Sequence, residues 1–389
     1  MIPVAHGLVV IGSGPAGVSA AEAFREHSPD ASIVILSTDP EEPYARPPLS
    51  KDYLQGKTDD IALHPPQWYD DRAIELRHGV TVEHLDIERR TVTAGGLRFE
   101  YQALVLAGGA APVPLPVPGG EHARHLRSAT DAAALRAAAS RASTAVVIGA
   151  GFIGCEAAAS LAAQGLSVTL VAPEPAPQVK RLGDDAGRRL RALVEAAGVQ
   201  FRGGVEVSAL ESNTVRLGDG SAVDADLILA ATGVAPQSDL AEAAGLEVRE
   251  SRIVVGSDMR TSAPDVYAAG DVALAYNETA GRYVAVEHWQ DAEDQGAIAG
   301  TVAAGAAACW DSVPGFWSTI GASTIKYHAW GDGYERARMQ DHDGGGFTVW
   351  YTTGHKDVVV GVLTHDADED YDAGGKLIEQ HSPLSAHIP

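Results

Sequence analysis

The sequence predicts an α/β protein: two successive βαβ halves of similar design, then a smaller α+β region. Three observations predict it. A glycine fingerprint occurs twice, each time between an apolar run and a helix-forming stretch. Each copy is followed by a second strand-like run, a hairpin and a further apolar strand. From Cys309 onward, short alternating runs replace that pattern.

The first half opens with "GLVVIGSGPAGVSAAEAF", an apolar strand, then Gly12, Gly14 and Gly17 at GxGxxG spacing, then a helix. The strand "ASIVILS" follows, then the hairpin "RRTVTAGGLRFEY" around its glycine turn, then "ALVLAGG". The second half repeats the order with "TAVVIGAGFIGCEAAASLAAQG", carrying Gly149, Gly151 and Gly154, then "LSVTLVA", "NTVRLGDGSAVDA" and "LILAATG". Repetition of a whole supersecondary unit marks an internal duplication. The Pro-rich "APVPLPVPGG" (Ala111 to Gly120) reads as the linker between halves. A helix is expected from about Glu287 to Ala308, followed by strands in "GGFTVWYTT" and "DVVVGVLTH" and a helix in "DAGGKLIEQ". The expected organisation is a first dinucleotide domain at 1–111 and 236–308, a second at 112–235, and a small α+β domain at 309–389.

Each fingerprint binds through its backbone. The first glycine permits the tight turn from strand to helix, the second lets a pyrophosphate approach, and the third lets helix and strand pack closely. The helix N-terminus then offers unpaired N–H groups and a partial positive charge. Pro15 and Ala16 in the first copy, and Phe152 and Ile153 in the second, lie inside these turns. In the first half the second strand ends at Ser37, and Asp39 is the candidate ribose acid. In the second half Ala172 stands where an acid would select NAD; Glu174 follows, with Lys180 and Arg181 further on. Glu174 would repel a 2′-phosphate, which favours NADH over NADPH. Val82, and Ala107 and Gly108 at the end of "ALVLAGG", are further candidate cofactor contacts. Two fingerprints imply two dinucleotides, read as FAD and a nicotinamide cofactor, because hydride can pass between stacked rings.

Composition narrows the alternatives. The net charge of −23 disfavours nucleic-acid binding, since a phosphate backbone repels it. No apolar run approaches the length of a membrane span, and "MIPVAHGLVVIGSG" lacks a basic leader, so a cytoplasmic protein is expected. The two cysteines, Cys155 and Cys309, supply neither a disulfide framework nor a four-ligand metal site, and both are expected to be packing residues.

Four elements together resemble the pyridine nucleotide–disulfide oxidoreductase superfamily, with its glutathione-reductase-like fold: the two fingerprints, "ATG" at Gly233, and "TSAPDVYAAGDVA". The resemblance implies that Asp271, next to Gly270, lies by the ribityl and diphosphate of FAD. The thiol-active branches carry one or two cysteines in the segment equivalent to "EEPYARPPLSKDY" (Glu41 to Tyr53), and this chain has none. That segment instead resembles the ferredoxin, putidaredoxin and rubredoxin reductase branch. There the resemblance implies that Arg46 and Lys51 contact FAD and that Lys51 pairs with Glu156 of "GFIGCEAAA". It also implies that Glu287, His288 and Trp289 of "VEHWQDAEDQG" abut the flavin, and that Trp317 of "PGFWSTIG" lies beside the flavin and nicotinamide rings. The chain departs from the branch at "STIG", where Ser-Asp-Gln is usual.

The expected activity is therefore electron transfer from NAD(P)H through FAD to a ferredoxin-like iron–sulfur protein, with no metal site in this chain and a monomer or homodimer as the working form. Two other readings stand beside it: an NAD(P)H oxidase or quinone reductase, and a redox-dependent binding protein resembling apoptosis-inducing factor.

Overall fold

Leu8 to Ile11 and Ile33 to Leu36 are short, almost wholly apolar runs, as expected of strands covered on both faces. The computed structural model, which describes residues 4–386, pairs them in parallel, with Leu8 opposite Ile33 and Ile11 opposite Leu36. The first three residues of the segment read for a leader and the last three residues of the predicted C-terminal domain lie outside that range. The chain forms two units, and the second includes the short excursion Arg46–Ile61.

The first unit comprises Met1–Ala45, Ala62–Ala111 and Ala235–Gly315. Its main sheet runs Ile74–Arg77, Ile33–Leu36, Val4–Ile11, Leu97–Leu106, Thr91–Ala94, Val82–Asp86, with Val266–Ala268 also paired to Leu97–Leu106. The strands around Val4–Ile11 are parallel; the hairpin Val82–Ala94 adds antiparallel strands at one side. Helices Pro15–His27 and Trp289–Ala303 pack together. A Cβ on Gly296 would fall 2.1 Å from the Ala16 carbonyl, and one on Gly300 2.1 Å from that of Ala20, so the glycines set this close approach. The helix expected to reach Ala308 ends at Ala303, and Gly305 at φ +90° takes the chain out of it. A second sheet holds Val248–Arg249, Arg252–Val255, Ala273–Asn277 and Arg282–Ala285.

The second unit comprises Arg46–Ile61, Pro112–Val234 and Phe316–Pro389. Its parallel sheet runs Val199–Gly203, Ser167–Ala172, Thr144–Ile148, Leu227–Ala230. Helices Phe152–Ala163 and Val179–Ala196 pack against it, and a three-stranded antiparallel sheet lies over Val207–Asp224. Its last part is a five-stranded antiparallel sheet, Gly315–Ile320, Ser323–Ala329, Val358–His365, Phe347–Thr353, Arg336–Asp341, with helix Asp368–Glu379 against it. One apolar cluster joins this sheet to the parallel one: Ile320, Ile325 and Leu363 are buried with Leu170, Leu190 and Val194. Among the described residues no helix is long and apolar enough to cross a membrane, and no cluster of three or more metal-ligating side chains occurs.

Candidate functional site

The two cradles have nearly the same backbone. Gly12 and Gly149 turn at φ +110° and +103°, and a Cβ at either would strike the carbonyl of Ala107 or Ala231, at 2.2 and 2.3 Å. A Cβ at Gly17 or Gly154 would lie 2.0 Å from the carbonyl of Gly12 or Gly149. Only glycine fits all four positions. Gly14 and Gly151 are the N-caps of helices Pro15–His27 and Phe152–Ala163, and neither helix has a side-chain cap or an acid in its first turn. The first-turn N–H groups are thus left for an anion. Both sites fit a dinucleotide pyrophosphate: the close approach is reserved and the donors are uncapped.

The side chains around the cradles differ. In the first unit Ser13 and Ser37 hydroxyls lie 2.7 Å apart, and Asp39 accepts the Tyr44 hydroxyl at 2.6 Å. Asp39 is thereby positioned beside Ser37, whose Oγ accepts the Asp39 N–H at 3.2 Å. Ala107 faces Gly12 through its carbonyl, with Gly108 following. Gly270, at φ +78°, donates its N–H to Gln295 Oε1 at 2.9 Å, which fixes the turn Gly270–Val272 that presents Asp271. His288 Nδ1 lies 2.9 Å from Asp291 Oδ2, and Glu287 pairs with Arg252 at 2.5 Å. Trp289 begins the helix and is half-buried. Val82, at the start of its strand, packs against the first core.

In the second unit Glu174 pairs with Lys180 at 2.8 Å. The Arg181 guanidinium lies over Phe316 and Tyr327, at 5.6 and 5.4 Å from the ring centroids. The two cations that follow Glu174 in sequence are therefore each engaged within the unit. A cavity of about 560 Å³ opens between Lys180, Arg181, Tyr327, Gly331, Gly333 and Tyr334. Gly233, at φ +102°, has open space around it.

Among the described residues the most heavily bonded carboxylate is Glu156, two residues after Gly154 and 2% exposed. Its Oε2 accepts the Ser50 hydroxyl at 2.5 Å and Lys51 Nζ at 2.7 Å. Its Oε1 accepts the Ser318 hydroxyl at 2.7 Å and the Thr319 N–H at 3.2 Å. A buried carboxylate is stable when it is paired and its lone pairs are filled, and here one cation and three neutral donors do so. The resemblance-based pairing of Lys51 with Glu156 thus has a direct counterpart; Lys51 remains 17% exposed. Arg46 heads the 3₁₀ turn Pro47–Ser50 that delivers Ser50 and Lys51. That turn is tied down by Ser160, whose hydroxyl donates to the Ser50 carbonyl at 2.7 Å, and by Leu54, buried in the second core. Trp317 precedes Ser318 on the strand and is 45% exposed. Phe152 meets Phe316 edge-on at 4.7 Å, and Ile153 is exposed.

Ser50, Ser318 and Thr319 were not singled out by sequence. Alternation along "FWST" gives the available signal: Phe316 and Ser318 share a strand face opposite Trp317. The departure at residue 319 leaves the carboxylate contact intact, because the backbone N–H makes it, while the Thr319 hydroxyl lies 3.1 Å from that of Thr324.

Neither cysteine is among the hydrogen-bond partners of Glu156. Burial, with Glu156 adjacent, pushes the Cys155 thiol up to about 12, so it stays protonated at neutral pH. Cys309 is exposed, contrary to the expectation that both cysteines pack; both are free.

A family model described as pyridine nucleotide-disulphide oxidoreductase matches residues 6–296. The chain belongs to this family. Among its relatives in the family, rhodocoxin reductase of Rhodococcus erythropolis is 32% identical over 97% of this chain and 90% of its own length. Rubredoxin-NAD(+) reductase of Pseudomonas putida is 33% identical over 82% of this chain and 85% of its own. The reductase in the crystal structure of a covalent putidaredoxin reductase–putidaredoxin complex is 29% identical, with a TM-score of 0.91 over 97% of this chain and 94% of that one. This family member has the two-cradle α/β fold without a cysteine between Glu41 and Tyr53.

Proposed function

We propose that this chain is a flavoenzyme that takes electrons from NADH through FAD and delivers them to a ferredoxin-like iron–sulfur protein. The carrying observation is the Glu156–Lys51 pair: where the thiol-active branches hold cysteine, this chain holds a lysine locked onto a buried carboxylate. The names of its relatives, reductases of rhodocoxin, rubredoxin and putidaredoxin, support the same class of acceptor.

In this reading Gly12, Gly14, Pro15, Ala16 and Gly17 hold the FAD pyrophosphate, Asp39 its ribose, and Asp271 with Gly270 its ribityl side. Val82, Ala107 and Gly108 line that site, and Glu287, His288 and Trp289 border it. Gly149, Gly151, Phe152, Ile153 and Gly154 hold the pyridine nucleotide, with Glu174 and Gly233 toward its ribose. The cavity at Arg181 and Lys180 receives the adenosine end. Glu174 favours an unphosphorylated ribose because its carboxylate would face a 2′-phosphate, which supports NADH. FAD, when bound, supplies the conversion between two-electron and one-electron transfer. Lys51, held in place by Glu156, would offer a bound FAD a fixed positive charge that needs no reorganisation to stabilise negative charge. Arg46 adds a second cation from the same turn, and Trp317 provides a ring surface that excludes water. A cytoplasmic setting belongs to this reading and is supported by the free, unpaired cysteines.

The test is NADH-driven cytochrome c reduction with and without a panel of ferredoxins. Stimulation of about tenfold or more by at least one ferredoxin is expected, the scale of a specific against a non-specific encounter. Rapid oxygen consumption with no ferredoxin stimulation assigns the chain instead to direct reduction of a small acceptor.

A further inference from the structure

The Glu156 carboxylate is a bracket with two sides. Both donors to Oε2 come from one segment, Ser50 and Lys51, and both donors to Oε1 come from another, Ser318 and Thr319. Rotation about the last torsion of the glutamate would break both sides together. The stronger donor to Oε1 is the Ser318 hydroxyl, at 2.7 Å against 3.2 Å for the Thr319 N–H, and Ser318 is 1% exposed, so solvent offers no ready substitute. Trp317 is the neighbouring residue and points to the other side of the strand.

We propose that Ser318 is a positioning residue for the redox reaction: its hydroxyl fixes the rotamer of Glu156, and through it both the place of Lys51 and the height of the strand bearing Trp317. This rests on the reading of Lys51 and Glu156 as part of an NADH–flavin site. It goes beyond that reading by assigning the register between the "RPPLSK" and "FWST" segments to one serine hydroxyl. The substitution of the following residue relative to the reductase branch leaves the bracket intact, because residue 319 reaches Glu156 only through its backbone N–H.

The experiment compares flavin-loaded wild type with Ser318→Ala, Ser318→Thr and, on the same hairpin, Thr324→Val. Two quantities are read: the acylation rate of Lys51 by a water-soluble activated ester, mapped by mass spectrometry without NADH, and the rate of flavin reduction on rapid mixing with NADH. For Ser318→Ala we expect Lys51 labelling about threefold faster, as the ion pair opens more often. We expect its flavin reduction to be about tenfold slower at unchanged flavin content, the scale of a misplaced catalytic group. Ser318→Thr restores both, and Thr324→Val changes neither. Equal labelling and equal reduction rates in wild type and Ser318→Ala overturn the proposal. Should Ser318→Ala not fold, Ser318→Cys, a weaker donor of similar shape, decides in its place: wild-type values in both measurements overturn the proposal, and partial loss of each upholds it. A wild type that NADH does not reduce at all overturns the functional reading itself, and that result is separate from the labelling of Lys51.

Discussion

Of the positions at which the two glycine cradles differ, one separates the proposed binding role from the proposed chemistry. Two residues after the third glycine, the first cradle has Ser19 and the second has Glu156. Helix Pro15–His27 continues in small residues, Val18, Ala20 and Ala21, that bury against the first core. Helix Phe152–Ala163 uses the matching turn to bury a carboxylate that collects donors from two remote segments. The acids that follow the second strands differ as well: a neutral tyrosine holds Asp39, and a lysine holds Glu174. A duplicated backbone thus presents two helix N-termini without side-chain caps, and only the second helix buries a carboxylate two residues past its third glycine.

The comparison breaks first at the glycines. Gly17→Ala and Gly154→Ala each drive a methyl group into a backbone carbonyl at 2.0 Å, where nothing can yield cheaply. We expect Gly17→Ala to abolish flavin retention, read from the absorbance of the purified protein. Gly154→Ala should leave the flavin bound and weaken NADH binding by about a hundredfold or more, the loss of a closely fitted anion site. Equal effects on both ligands would remove the distinction between the cradles.

The next effect is at the pair. Lys51→Ala leaves Glu156 buried with neutral donors only. We expect about 2–4 kcal/mol less stability in chemical denaturation, the range for removing one partner of a buried ion pair and slightly reduced for the partial exposure of Lys51. Ser19→Ala, at the matching position of the first cradle, should change stability by less than about 1 kcal/mol, as is usual for a half-buried residue outside any network.

A smaller effect is expected at Glu174. Glu174→Ala releases Lys180 and removes the carboxylate, so the preference for NADH over NADPH should fall by about tenfold, comparable with one charge pair near the surface. Tyr44→Phe, which removes the donor to Asp39, should leave that preference untouched. The smallest effect is chemical. With its thiol pushed up to about 12, Cys155 should resist alkylation from pH 7 to 10, whereas exposed Cys309 reacts. The native protein should therefore take one label and the unfolded chain two, with turnover unaffected by the first.

Much of the fold was legible because it rests on local signals. Apolar runs of strand length, two GxGxxG turns and glycine-centred hairpins state the parallel sheets and their order along the chain. The helix end at Ala303 is hard to place from sequence, because Ala304 to Ala308 are helix formers apart from Gly305, and one glycine's positive φ decides the stop. The site was legible only in part. Asp39 and Glu174 follow from counting along the strands, and Lys51 with Glu156 came from resemblance to a family motif. Ser50, Ser318 and Thr319 were invisible, since their role exists only once segments more than a hundred residues apart converge on one carboxylate. The exposure of Cys309 leaves no local signal for a similar reason: its surroundings depend on the course of the chain after the helix.

The carboxylate at residue 156, which the first cradle lacks, is proposed to prepare the site for reduction by NADH. That role is tested most directly by rapid mixing of NADH with flavin-loaded wild type and Glu156→Gln, which keeps the shape and removes the charge. Flavin reduction at least about tenfold slower in Glu156→Gln, with equal flavin content and equal NADH affinity, is the predicted result, as for a cation that has lost the partner fixing its position. Equal reduction rates in the two proteins would contradict it and leave Glu156 a structural ion pair.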